Sequence, residues 1–259
     1  MGGWAKSGWD GTEAPEKGEG GNRFGALKFW MREGTTKRIM FLDSEPFCFY
    51  EHGLYMLTGS GKDTAICLAK NGLLKNGATC PVCDAKNAKG DDLSWAQFLG
   101  YFSVIDMGDV EYASDGTARL SGWLNDKGIL YQFGRKLLPA KRGSKDKPGM
   151  LQEFRRLANK HGGLDGTVWD VYRSGKKTES IGDKYEFVTK VPKEDILKYL
   201  TAAGAKLENL DVEPINYDKE FVPQSPQELA NIVAASPNVA AGNDTSFKPD
   251  KGGNDDFPF

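Results

Sequence analysis

Cys80-Pro81-Val82-Cys83 places two thiols two residues apart, a spacing at which both sulfurs can reach one tetrahedral Zn²⁺. A closed site needs two further donors, and the chain offers Cys48, His52 and Cys67 upstream. His52, Cys67, Cys80 and Cys83 form a Cys₃His set with 14, 12 and 2 residues between successive members. The other histidine, His161, falls at the polar end of an expected helix and reads as a surface residue. If residues 47–57 form one strand, Cys48, Tyr50 and His52 share a face. Cys48 could then stand in for Cys67 or His52, and spacing leaves that choice open. A redox-active CxxC belongs at a helix start in a βαβ setting, whereas Lys86-Asn87-Ala88-Lys89-Gly90 continues as a loop. No Glu accompanies the cysteines in the manner of a zinc deaminase. The expected cofactor is therefore a structural Zn²⁺.

Other motifs of catalytic type are incomplete. Gly59-Ser60-Gly61-Lys62-Asp63-Thr64 has Met56 where a phosphate-binding loop needs its first glycine and Asp63 where it needs Ser or Thr. With two histidines in the chain, one of them a candidate ligand, no Ser-His-Asp or Cys-His arrangement finds support. Asp91-Asp92 reads as part of a loop. The chain is not expected to be an enzyme; the alternative is a zinc-ribbon enzyme or accessory factor of nucleic-acid metabolism, a nuclease or primase component. A zinc-stabilised adaptor without DNA affinity is a third reading.

Charge and aromatic content point to a polyanion partner. The formal net charge is −2, yet residues 111–206 hold 19 Lys+Arg against 12 Asp+Glu, and residues 207–259 hold 3 against 10. A basic middle with an acidic end is the pattern of a polyanion binder with an anionic tail. Residues 135–147 carry six cations (Arg135, Lys136, Lys141, Arg142, Lys145 and Lys147) against Asp146, and with Pro139 and Gly143 they read as a mobile basic loop. Tyr131 and Phe133 precede that loop on one side of a strand; Trp95, Phe98, Tyr101 and Phe102 lie upstream, Trp169 and Tyr172 downstream. Cations attract phosphates while aromatic faces stack on unpaired bases, which holds single strands without sequence readout. Strand alternation sends about half of such rings into a core.

These groups need a scaffold of short strands. Residues 1–22 are rich in Gly, Glu and Lys and are expected to be disordered. Strands are expected at 37–42, 47–57, 118–124, 129–134, 167–172 and 184–191, the third and fourth flanking an Asn-Asp-Lys-Gly turn. Residues 149–161 place Met150, Leu151, Phe154, Leu157 and Ala158 on one helical face, with Gly162 as the cap. Pro192 opens a second helix, and Ser225-Pro226-Gln227-Glu228 is a capping box for a third. The expected class is mainly β: an OB-fold barrel over 23–206 with a zinc-binding subdomain at about 48–90, a few peripheral helices and disordered termini. Residues 207–259 are expected as an acidic tail with a short helix. No apolar run approaches the ~18 residues of a membrane span, and MGGWAKSGWDG has no signal-peptide core, so a cytoplasmic protein without membrane partners is expected.

Glu51-His52-Gly53, then Cys67, then Cys80-Pro81-Val82-Cys83 resembles the zinc subdomain of phage helix-destabilising, single-stranded DNA-binding proteins of the T-even type. The resemblance implies that His52, Cys67, Cys80 and Cys83 are the ligands, since Cys48 falls where that family has an ordinary strand residue. Tyr131-Gln132-Phe133-Gly134-Arg135-Lys136 is similar to a family strand that would place Tyr131 on the DNA surface. Asp255-Asp256-Phe257-Pro258-Phe259 is similar to the acidic, Pro-Phe-ended tail with which bacterial single-stranded DNA-binding proteins recruit replication or recombination partners. The resemblance thus implies sequence-independent binding of single-stranded DNA in phage replication, recombination or repair. Tyr131, Phe98, Tyr101 and Trp169 would stack bases, and Arg135, Lys136, Lys141 and Arg142 would neutralise phosphates.

Overall fold

A computed structural model of the chain describes residues 6–7, 28–60, 63–74, 78–124, 130–144, 147–175, 179–206 and 210–239; at 6–7, 123–124 and 130–131 it describes the backbone alone. The fold is mainly β, an antiparallel sheet with a few helices. In chain order the strands are β1 (Lys6–Ser7), β2 (Thr36–Phe41), β3 (Phe47–Gly53), β4 (Thr64–Ile66), β5 (Ala96–Tyr112), β6 (Ala118–Ser121), β7 (Trp123–Leu124), β8 (Leu130–Tyr131), β9 (Gly134–Lys141), β10 (Thr167–Tyr172) and β11 (Lys184–Lys190).

The 17-residue β5 organises everything else. One of its edges pairs with β3 and then β2, the other with β9 and then β6, while β10 and β11 continue beyond β2. Register on β2 slips between Arg38↔Gly108 and Ile39↔Asp106. That bulge needs a glycine: Gly108 has φ +108°, and a Cβ there would stand 2.4 Å from the Ser121 carbonyl oxygen. Among the described residues β11 pairs only with β10, so the hydrogen-bonded sheet does not close on itself. The gap to β9 is bridged by an irregular segment, with Phe29 N donating to Leu137 O (2.7 Å), Met31 N to Ser180 O (2.9 Å) and Gly34 N to Arg173 O (2.7 Å).

The curve is filled by α3 (Met150–His161), which follows α1 (Tyr55–Thr58) and α2 (Pro81–Asp84). Its apolar face is the one its sequence period gives, and Phe154 packs edge-on against Phe41 and Phe102 at 5.4 and 5.5 Å. Gly100 lets the helix approach the sheet, because a Cβ there would come within 2.5 Å of a Leu151 methyl. Past β11 come a 3₁₀ turn (Lys193–Asp195), α4 (Ile196–Ala202), α5 (Tyr217–Glu220) and α6 (Pro226–Ala234). The expected strand over 47–57 ends at Gly53, two residues before α1 begins, and α4 starts four residues after Pro192.

Two expectations are corrected. Residues 135–141 of the expected mobile basic loop belong to strand β9, whose Leu137, Leu138 and Ala140 are buried. Pro139 fits because it shares the parity of Leu137, whose carbonyl faces Phe29 rather than β5, so proline's missing N–H removes no donor from the β5 ladder. Residues 210–239 are not a tail. Ile215 and Phe221 pack with Phe47, Phe49 and Tyr101 on the sheet, while Leu229 and Val233 of α6 pack with Leu54, Leu57 and Val82 around the cysteines. Apolar burial on two surfaces fixes this strap, and its capping box is formed as the sequence indicates. No helix among the described residues is long and apolar enough to cross a membrane.

Candidate metal centre and nucleic-acid surface

β3 carries His52 at its end, the turn after β4 carries Cys67, and the first turn of α2 carries Cys80 and Cys83. Pro81 at the first helical position fixes that turn, so the two CxxC sulfurs fall on one side. The four ligand atoms lie within 4.8 Å of one another, with His52, Cys67 and Cys80 fully buried and Cys83 partly so. Cys67 Sγ is 3.5 Å from Cys83 Sγ, and His52 Nε2 is 3.3 Å from Cys83 Sγ and 3.9 Å from Cys80 Sγ. A tetrahedral ion bound at about 2.3 Å by sulfur and about 2.0–2.1 Å by nitrogen requires edges of about 3.5–3.8 Å. Three of the six edges fall close to these lengths, so the cluster can hold a metal ion.

The surroundings fit that reading. Ser94 donates its hydroxyl hydrogen to Gly53 O (2.9 Å), leaving its oxygen to accept from His52 Nδ1 at 3.1 Å. This fixes the tautomer whose Nε2 lone pair faces the sulfurs. Lys70 N donates to Cys67 Sγ (3.4 Å). Hydrogen bonds from Cys67 and Cys83 hold the Cys80 thiol far below its usual range, while the Cys67 thiol, hydrogen-bonded to Cys80, is pushed up to about 11. Only a cation lets three such sulfurs ionise together. Cys48 lies outside the cluster, in the sheet core, where burial pushes its thiol up to about 12.

The candidate DNA residues divide. Phe98, expected to stack a base, is buried in the sheet core at 7% exposed and backs its half-buried register partner Tyr50, with ring centroids 5.0 Å apart. Arg142 stands 5.8 Å over the Phe98 ring and Lys70 5.3 Å over the Tyr50 ring. Sequence reasoning named Phe98 and Arg142, but it weighed Tyr50 only for its strand face and missed Lys70; pairing across β3 and β5 is the signal that joins them. Lys141 is half exposed, with Glu179 at 3.4 Å.

Four further assignments change. Tyr101 is fully buried, stacked on Phe49, and its hydroxyl donates to Glu51. Trp169 is 1% exposed and its Nε1 donates to Thr167 Oγ1 (2.8 Å). Neither ring has a face to offer a base. Lys136 is buried against Asp106 at 2.5 Å, an anion that Lys37 shares at 3.1 Å. Arg135 is taken by the strap, at 2.8 Å from the Asp211 carboxylate and 2.6 Å from Glu213 O. Tyr131 lies on β8 opposite Trp123, its side chain outside the described residues, as are Asp255, Asp256, Phe257, Pro258 and Phe259. His161, read as a plain surface residue, stacks at 4.1 Å on Phe187, an exposed ring that the sequence reading did not single out.

Compared with protein-family models, curated proteins and solved structures, the chain gives no match.

Proposed function

We propose that the chain is an OB-type barrel with a structural zinc module, and that it binds single-stranded DNA without sequence readout in phage replication, recombination or repair. The observation that carries the reading is the Tyr50–Phe98 pair with Lys70 and Arg142 over its rings, at the junction of the sheet and the metal cluster. An unpaired base can take the Tyr50 face while the two cations turn to the flanking phosphates, combining stacking with counterion release. The sulfur-rich, fully protein-supplied donor set favours zinc in a closed, structural site. Residues 255–259 are the proposed anchor for replication or recombination proteins.

Titration of oligothymidylate and a duplex of equal length tests the reading. Tyr50→Ala should weaken single-strand binding by about 1–3 kcal/mol with little change in salt dependence. Arg142→Gln should flatten the salt dependence by roughly one phosphate contact. Equal affinity for single strand and duplex in the unmodified protein overturns it.

A further inference from the structure

Asn71 is 1% exposed and spends its whole side-chain amide on two backbone segments. Its Oδ1 accepts from Tyr50 N at 2.9 Å; its Nδ2 donates to Tyr50 O at 2.8 Å and to Cys67 O at 2.9 Å. Cys67 N also donates to Tyr50 O, at 2.9 Å. β4 ends at Ile66, one residue before it could continue the ladder to Tyr50, and the Asn71 amide takes the place of the missing strand. Both backbone groups of Tyr50 therefore point away from β5, which makes Tyr50 and Phe98 a non-hydrogen-bonded pair with closely spaced side chains. The same turn carries Lys70, whose N–H reaches Cys67 Sγ and whose ammonium lies over the Tyr50 ring.

We propose that Asn71 is the positioning residue that aligns Tyr50 for base stacking, and that the 67–71 turn relays the state of the Cys67 sulfur to Tyr50 and Lys70. This rests on the single-strand reading of that ring pair. A metal-bound Cys67 anchors the turn at its first residue, and Asn71 at its last residue passes that anchorage to the strand. Loss of the amide frees the Tyr50 backbone without removing any group that touches the nucleic acid.

The test is a double-mutant cycle with oligothymidylate, with metal content and thermal melting measured on every protein. Asn71→Ala should keep one metal ion per chain and weaken binding roughly tenfold, about 1.4 kcal/mol. Added to Tyr50→Ala it should weaken binding no further, since both changes act through one ring. Losses that multiply overturn the proposal, as does wild-type binding by Asn71→Ala when Tyr50→Ala is weakened. Wild-type binding by Tyr50→Ala overturns instead the reading on which it rests. Should Asn71→Ala fail to fold, the cobalt(II)-loaded wild-type protein carries the test. Oligothymidylate should then shift its thiolate-to-cobalt absorption, and the shift should vanish in Tyr50→Ala; an unmoved band in the wild type, or a shift retained in Tyr50→Ala, overturns the relay.

Discussion

The metal module and the curved sheet are stabilised by different physics. Around the cysteines the elements are minimal, with four residues in each of α1 and α2 and three in β4. The buried side chains there are small: Leu54, Leu57, Ala65, Leu68, Val82, Ala85 and Leu93. The concave side of the sheet buries Phe29, Phe41, Phe102, Phe154 and Trp169. Aromatic burial on that scale supports a fold by itself, whereas a few aliphatic contacts on single-turn helices do not, and an ion held by the four candidate ligands would close the deficit. The strap serves both regions, docking Phe221 on the sheet and α6 on the module.

Removing the metal gives the largest effect and the most direct way to break this comparison. Structural zinc contributes about 10–16 kcal/mol in isolated finger peptides at pH 7, more than any one core side chain. Cys80→Ser should take metal content from one per chain to none. Hydrogen-exchange protection should then fall over residues 54–93 and 226–234 while β5 and β10 keep theirs, as expected of a separable unit. Loss of both regions in a single transition would make the module and the sheet one cooperative unit.

The two regions also differed in how legible they were. The CxxC pair and its three upstream candidates could be read because metal chemistry depends on residue type and local spacing, while the preference for Cys67 over Cys48 came from the family resemblance; α3 and β10 could be read from their apolar residues. β9 could not, since Arg135, Lys136 and Pro139 carry the composition of a loop. What makes Lys136 a core residue is Asp106, 30 positions away in the chain. The strap was missed for the same reason: Ile215 and Phe221 flank a short acidic stretch, Leu229 and Val233 sit on a short helix whose docking site is not local, and the partners of all four on β3, β5 and α1 are distant in sequence. Alternation also failed to sort the aromatics of β5, because both faces of that strand are covered, Phe98 and Phe102 on one side and Tyr101 on the other.

A smaller effect sharpens the account of how the strap is held to the sheet. The Asp43 carboxylate accepts from Tyr217 Oη at 2.5 Å and from Ser103 N, and Ser103 Oγ accepts from Ile215 N at 2.8 Å. Burial raises the Asp43 carboxyl from its usual 3.8 to about 6, outweighing the hydrogen bonds that oppose it. The folded chain therefore binds this proton more tightly than the unfolded chain, so this group's contribution to stability is present below about pH 4 and lost as pH rises to about 6. Two pH units correspond to about 3 kcal/mol. Asn keeps the acceptor and removes the charge, so Asp43→Asn should melt like the wild type at pH 4 and be more stable at pH 7.5. Denaturant melts of both proteins across that range check it; parallel curves would mean the junction is not a buried charge at neutral pH.

The smallest effect belongs to Cys48, which distinguishes sharing a strand face from sharing a site. Cys48 and His52 do lie on one strand with the parity that would put both side chains on the same side. Four residues of strand span about 13 Å, however, while the four ligand atoms sit within 4.8 Å of one another. Strand length therefore excludes Cys48 from any ion that His52 holds. Its sulfur instead lies 3.2 Å from where a Cβ on Gly100 would stand, in the space that lets α3 approach the sheet. Such a cysteine acts as a small apolar group. Cys48→Ala should leave one metal ion per chain and cost about 1 kcal/mol, the ordinary size of a single-residue change, with the loss appearing in the melting of the sheet. A variant that lost its metal would place Cys48 in the ligand set and would join the two regions through β3.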